Sequence, residues 1–203
     1  MLAALTGAGL SAAAGLNAYI PFLLVALIAR FTDVITLPHQ YAWIESWWAI
    51  GIAAVLLLSE LVLDKIALVD HINDAVGTFV RPATGGLIFA ATTAAEDFEQ
   101  GSSFMADNPW VGVVLGIITA GIVHTGKAVS RPVVNTTTGG LGTPVVSAAE
   151  DGMAITLSLV AIFLPVLVIF LILLLVWGLF ALWRRGRSRR ARRDRAMADA
   201  GYE

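Results

Sequence analysis

Apolar residues run along this chain in long blocks, separated by short stretches of mixed small and polar residues. Four blocks read directly as membrane helices, roughly residues 10–29, 42–63, 109–123 and 155–183. The last is longer than a bilayer needs, so it tilts or extends beyond the membrane, and Pro165 is placed to kink it. Trp43, Trp47, Trp48, Trp110 and Trp183 lie at or near block ends, where an interfacial aromatic belt belongs.

Two further stretches, 73–98 and 131–151, are rich in Gly, Ala, Thr and Pro, and each holds an arginine followed by proline. They predict helices that cross in broken form or dip in and return. Irregular backbone at membrane depth persists only where protein or a watery cavity surrounds it, so both belong inside the bundle. The architecture expected is all-α: a polytopic membrane helix bundle of four clear transmembrane helices plus two broken or re-entrant segments forming an internal repeat. Six crossings put both termini on the cytoplasmic side with Lys65 and Lys127, and the acidic stretch 96–108 outside. Arg30 then falls on the outer side.

Composition agrees, since 58% of the 203 residues are hydrophobic and only 14% charged. The mean hydropathy of +0.81 calls for lipid as the main solvent. No cysteine is present, which excludes disulfides, a thiol nucleophile and thiolate metal sites. The segment from Met1 to Gly15 lacks Lys and Arg, and with them the charged start of a signal peptide, so the first block is expected to stay as a helix. The net charge of -2 conceals an asymmetry: eight of the thirteen basic residues, Arg184 to Arg195, directly follow the last apolar block. Retention on the cytoplasmic side beside anionic lipid headgroups accounts for that run more simply than nucleic-acid binding. The chain thus divides into a membrane domain, 1–183, and an arginine-rich cytoplasmic tail, 184–203.

The repeat occupies about 43–98 and 109–151. Thr84-Gly85-Gly86-Leu87 is followed by Ala94-Ala95-Glu96-Asp97, and the same order recurs, with the same gap, as Thr138-Gly139-Gly140-Leu141 and Ala148-Ala149-Glu150-Asp151. Arg81-Pro82 is echoed by Arg131-Pro132, and Trp48 and Lys65 bracket one apolar segment as Trp110 and Lys127 bracket another. Duplicated units with Gly- or Pro-interrupted segments are a mark of transporters, because a broken helix frees backbone groups to hold an ion or polar solute. Small residues also let membrane helices pack closely, and for the glycines and alanines that reading stands level.

Charge near the bilayer centre costs about 2.5–3.5 kcal/mol per residue on insertion scales, so such groups face a path or one another. Arg81 and Arg131 could hold an anionic group or pair with repeat carboxylates. Glu96, Asp97, Glu150 and Asp151 could bind cations, or stand as solvated helix ends. Adjacent helical residues point about 100° apart, so neither acidic pair forms one clamp within a helix. Asn135, Thr138 and the hydroxyls between them form the densest polar stretch, the best candidate with Thr84 for direct solute contact. Asn17 is an isolated polar residue expected to bond to that region. Glu60, Asp64, His71 and Asp74, spaced by four, seven and three, share one face if the helix continues, a proton relay or metal face or, more simply, a solvated one. His39 and His124 stand alone.

Three runs together resemble a known family: Gly9-Leu10-Ser11-Ala12-Ala13-Ala14-Gly15-Leu16-Asn17-Ala18-Tyr19-Ile20-Pro21, Asp70-His71-Ile72-Asn73-Asp74, and Arg131-Pro132-Val133-Val134-Asn135-Thr136-Thr137-Thr138-Gly139-Gly140. It is a family of bacterial membrane proteins catalogued as domain of unknown function number 4126. The resemblance covers nearly the whole chain except the tail. The family pattern is expected to carry an asparagine before Pro144, so Thr143 receives no role. The resemblance implies a membrane fold and no activity.

No serine-histidine-acid set, phosphate loop or dinucleotide fingerprint is present, and no enzyme, cofactor or metal is expected. The expected function is a small transporter or channel for an ion or a small polar or anionic solute, compatible with a homo-oligomer. The alternatives are a structural or scaffolding membrane protein and a protein that handles lipid phosphate.

Overall fold

The computed structural model describes residues 2–64, 67–95 and 108–184, less 172, 175, 179, 182 and 183, and for 67–73 the backbone alone. Glu96 and Asp97, the side chain of His71 and nearly all of the tail lie outside the described residues. Among the described residues there is no strand. The helices are α1 Leu2–Leu16, α2 Tyr19–Phe31, α3 Trp47–Leu63, α4 Ala67–Thr93, α5 Pro109–Thr138, α6 Thr143–Phe163 and α7 Pro165–Gly178. A 3-10 segment, His39–Glu45, leads into α3 at an angle of 52°.

The block expected to be one helix over 10–29 is two. Asn17 ends α1, and its side-chain oxygen accepts the N–H groups of Tyr19 and Ile20 at 3.1 and 3.2 Å, serving the first donors of α2. Pro21 follows in the first turn of α2, where a missing N–H costs nothing. The chain then doubles back: Gly7 of α1 faces Phe89, while Ala26 of α2 packs in a cluster with Ala91. The block 155–183 is cut likewise. Pro165 does more than kink it, since Leu171 packs with Ala154 and Leu157 of the preceding helix. In an uninterrupted helix Leu157 and Leu171 would stand about 21 Å apart.

Successive helices therefore alternate in direction. Ile50 of α3 groups with Ala91 of α4, and Gly112 of α5 faces Ala90 and Thr93. Trp43, Trp47, Trp48 and Trp110 thus share one end of the bundle, the aromatic end. The α5–α6 turn lies at the other, the polar end. Leu2 starts at the aromatic end and α7 runs toward the polar end, so the six-crossing arrangement with both termini together is not what the helix order provides.

Of the four clear spans expected, two stand alone: α5 and α6 are each long and apolar enough to cross a membrane, and the bent segment with α3 makes a third. The helices α1, α2 and α7 are apolar but shorter. Such helices suit a membrane protein. The exposed surface agrees, with Ile52, Val55 and Leu58 on α3 and Ile118 and Ile122 on α5 facing outward.

The two stretches expected to break behave differently. The first lies in α4, which runs unbroken through Pro82, Gly85 and Gly86. Its glycines form a seam: Ser11 donates to the Gly85 carbonyl at 2.8 Å, and a Cβ on Gly116 of α5 would overlap that same carbonyl. The second stretch does break. Helix α5 ends at Thr138, Gly139 takes φ 60° and Gly140 φ 86°, and α6 starts at Thr143 with Pro144 in its first turn. A side chain at Gly139 meets no atom within 4 Å, so only its backbone conformation resists substitution. Gly139→Ala should therefore cost about 1–2 kcal/mol, readable as a lowered melting temperature in detergent.

Candidate functional site

Charged side chains from α3, α4, α5 and α6 converge on one buried point. The last turn of α3 supplies Glu60 and Asp64; α4 supplies Asp74 and Arg81; α5 supplies Lys127 and Arg131; α6 supplies Glu150. Asp64 is the hub. Its Oδ2 lies 3.3 Å from Lys127 Nζ, 3.1 Å from Arg131 Nη2 and 4.0 Å from Arg81 Nη2. Arg131 also pairs with Glu150, whose Oε2 is 3.2 Å from Lys127 Nζ. The ammonium donates its remaining proton to the Leu16 carbonyl at 2.9 Å, where α1 ends. Asp64, Arg81 and Lys127 are each 1% exposed, so water screens the attractions among these three very little.

Arg81 joins this hub to a second group. One guanidinium nitrogen reaches Glu60 Oε1 at 2.7 Å, and the other reaches Asp74 at 3.0 Å and His124 Nδ1 at 2.9 Å. Arginine has no acceptor to offer, so Nδ1 is the acceptor and the imidazole is neutral, with its proton on Nε2. That proton goes to Thr78 Oγ1 at 3.1 Å, and the threonine hydroxyl donates to the Asp74 carbonyl. Two atoms of this group, Glu60 Oε2 and Arg81 Nε, are buried and have no hydrogen-bond partner among the described residues.

The charge count decides the character of the site. Three cations, Arg81, Lys127 and Arg131, face four carboxylates, Glu60, Asp64, Asp74 and Glu150, which leaves one negative charge among the described side chains. No group of His, Asp and Glu there has the arrangement to hold a metal ion.

Of the residues singled out in the sequence, Arg81, Arg131 and Glu150 meet here. Asn17 and Asp151 lie alongside, bonded to each other at 3.0 Å rather than to the threonine run. Glu150 faces α5 and Asp151 faces α1, the divergence expected of neighbours on a helix. Asn135 accepts the Thr143 hydroxyl at 2.7 Å. Thr138 is exposed, and its hydroxyl donates to the Val134 carbonyl while accepting the Gly142 N–H, so it shapes the turn. Thr84 lines a separate pocket of about 170 Å³ with Tyr19, Phe22, Trp43 and Trp48. A larger cleft of about 410 Å³ between α6 and α7 is apolar except for Thr156, whose hydroxyl is spent on the Gly152 carbonyl.

Lys127 and His124 were given no chemistry in the sequence reading. Glu60, Asp64 and Asp74 were read as a proton relay or metal face or, more simply, as a solvated face. The structure corrects the solvated face: α3 ends at Leu63, and both Glu60 and Asp64 turn inward. The usable signal was present on α5, where His124, Lys127 and Arg131, at spacings of three and four, share one face of an otherwise apolar helix.

Together, an all-helical apolar bundle and a buried ionic core define the class: a helical protein built for an apolar solvent, with ionised groups enclosed. A family model, "Domain of unknown function (DUF4126)", matches residues 4–185, and the chain belongs to that family. No curated protein and no solved structure shows a significant match to the chain.

Proposed function

We propose that the chain is a multi-pass membrane transporter or channel whose path runs through the buried charge cluster. The observation that carries this reading is a cluster of seven charged side chains, six of them buried, inside apolar helices, with one carboxylate in excess among the described side chains. Burying ions costs several kcal/mol each even when they are paired, and apolar side chains of similar size would hold the helices together as well. Ionised groups inside a membrane bundle mark ion or proton pathways. The path expected through two broken segments moves to the point where the Arg-Pro arginines meet α3.

The excess carboxylate favours a cationic solute over an anionic one. Both arginines face carboxylates, which leaves little for a lipid phosphate to win. With each of the seven helices crossing once, the termini lie on opposite sides. By the positive-inside rule the arginine tail favours the polar end and the C-terminus in the cytoplasm, with the protein in the plasma or inner membrane. The glycine seam between α4 and α5 supports the second reading, a structural membrane protein in which the ion pairs act as a lock.

Flux in proteoliposomes separates the two. The protein should conduct or exchange cations such as sodium, potassium or methylammonium in preference to chloride. Glu60→Gln should lower that flux at least about tenfold in protein that still elutes as folded, with a lower melting temperature because Arg81 keeps an amide oxygen but loses a charged partner. Folded protein that passes nothing, by current or by tracer, would leave only the structural reading.

A further inference from the structure

The pocket lined by Tyr19, Phe22, Trp43, Trp48 and Thr84 lies between α2, α3 and α4, on the aromatic side of the charge cluster. Trp43 and Trp48 stack with centroids 5.9 Å apart, and Phe22 leans on Trp43 at 6.2 Å. The pocket continues downward in chemistry. Leu56 lines it, and Glu60 is one turn further along α3; Thr84 lines it, and Arg81 is one turn back along α4. Tyr19, also in the wall, is within electrostatic reach of both charges. One helical turn beyond the lining, and not part of it, Glu60 has one oxygen on Arg81 and its second oxygen, Oε2, buried without a partner among the described residues.

We infer that this pocket binds a small organic ammonium ion, with its charge between the aromatic rings and the Glu60 carboxylate. Aromatic faces attract cations, most of all where water is excluded. The unpartnered carboxylate oxygen offers lone pairs to N–H donors, or bare charge to a methylated nitrogen. An anion would meet Glu60 and the net negative cluster, and a neutral solute would gain from neither feature. A bare metal ion needs several oxygen ligands, and the rings cannot supply them. A volume of about 170 Å³ accepts five or six groups the size of water at about 30 Å³ each, which matches tetramethylammonium or a short alkylamine.

This inference deepens the transport reading by naming the solute class of the same path, and its test reads binding without flux. Tryptophan fluorescence of the full-length protein in detergent is titrated with tetramethylammonium chloride, with sodium chloride at equal ionic strength, and with tert-butanol as the neutral counterpart. Tetramethylammonium should saturate a signal at concentrations about tenfold below any effect of tert-butanol, and sodium should give none. Glu60→Gln should weaken that binding about tenfold, and Trp48→Leu, which touches no ion pair, about threefold to fivefold. Equal titration by the ammonium ion and the alcohol overturns the inference on the natural protein alone, whatever the variants do. So does undiminished binding in folded Glu60→Gln. Binding without flux would sink the transport reading and leave the site standing; cation flux without ammonium binding would do the reverse.

Discussion

Replacing Asp64 with alanine should destabilise the protein by about 3–5 kcal/mol, the range for removing one partner from a buried ionic network. The number is large because the carboxylate serves three cations at once. Its loss strips Lys127 of one of three acceptors and Arg131 of a hydrogen bond at 3.1 Å, where no water can substitute. Asp64→Asn should cost less than alanine, since the amide oxygen still accepts. The sharper check is a cycle with Lys127→Met. Each single change strands charge, whereas the double variant removes an opposed pair, so its cost should fall short of the sum by about 0.5–3 kcal/mol. Thermal unfolding in detergent gives all four values. An Asp64→Ala protein that melts with the unaltered one would mean that the hub carries no stability.

The second large effect belongs to the glycine seam. Gly116→Leu should cost at least about 1–3 kcal/mol, the usual range for overpacking. Here the obstruction is backbone, because the new Cβ would overlap the Gly85 carbonyl and lie 2.8 Å from Gly86 Cα. Helices α4 and α5 would have to separate, and the Ser11 bond to the Gly85 carbonyl would go with them. Gly121 on the same helix provides the contrast. A Cβ there meets nothing within 4 Å, so Gly121→Leu should shift stability by less than about 0.5 kcal/mol. Equal melting of the two variants would rule out the seam as the contact that holds α4 to α5.

The apolar blocks made the all-helical architecture legible, yet they hid two reversals. A run of about 20 apolar residues suits one crossing, and nothing in 10–29 except Asn17 and Pro21 marks the break. What decides it is tertiary: Asn17 has Asp151 to donate to and the α2 N–H groups to accept from. The paired Thr-Gly-Gly motifs show the same override. In α4 the glycines are held helical because α5 packs against them, whereas at the end of α5 Gly139 meets no neighbour within 4 Å and both glycines turn with positive φ. Glycine permits both outcomes, so the letters could not choose.

The site was half legible for a related reason. Arg81 and Arg131 stand out as charges in small-residue surroundings, whereas Glu60, Asp64 and Asp74 sit in a polar stretch that reads as solvated. Only the fold shows that α3 ends with its acids facing the arginines. Lys127 shares its helix face with His124 and Arg131 in the sequence, yet its three acceptors come from α1, α3 and α6, which only the fold brings to it.

Helix α1 is enclosed by α4, α5 and α6, and residues from Gly9 to Leu16 are buried without exception. Helix α1 therefore precedes in the chain every one of the helices that enclose it. Until α4, α5 and α6 have been made, the alanine- and glycine-rich face of this helix lacks the partners it packs against. The ammonium of Lys127 later closes on its C-terminal carbonyl, a bond that joins α1 to a helix made more than a hundred residues afterwards.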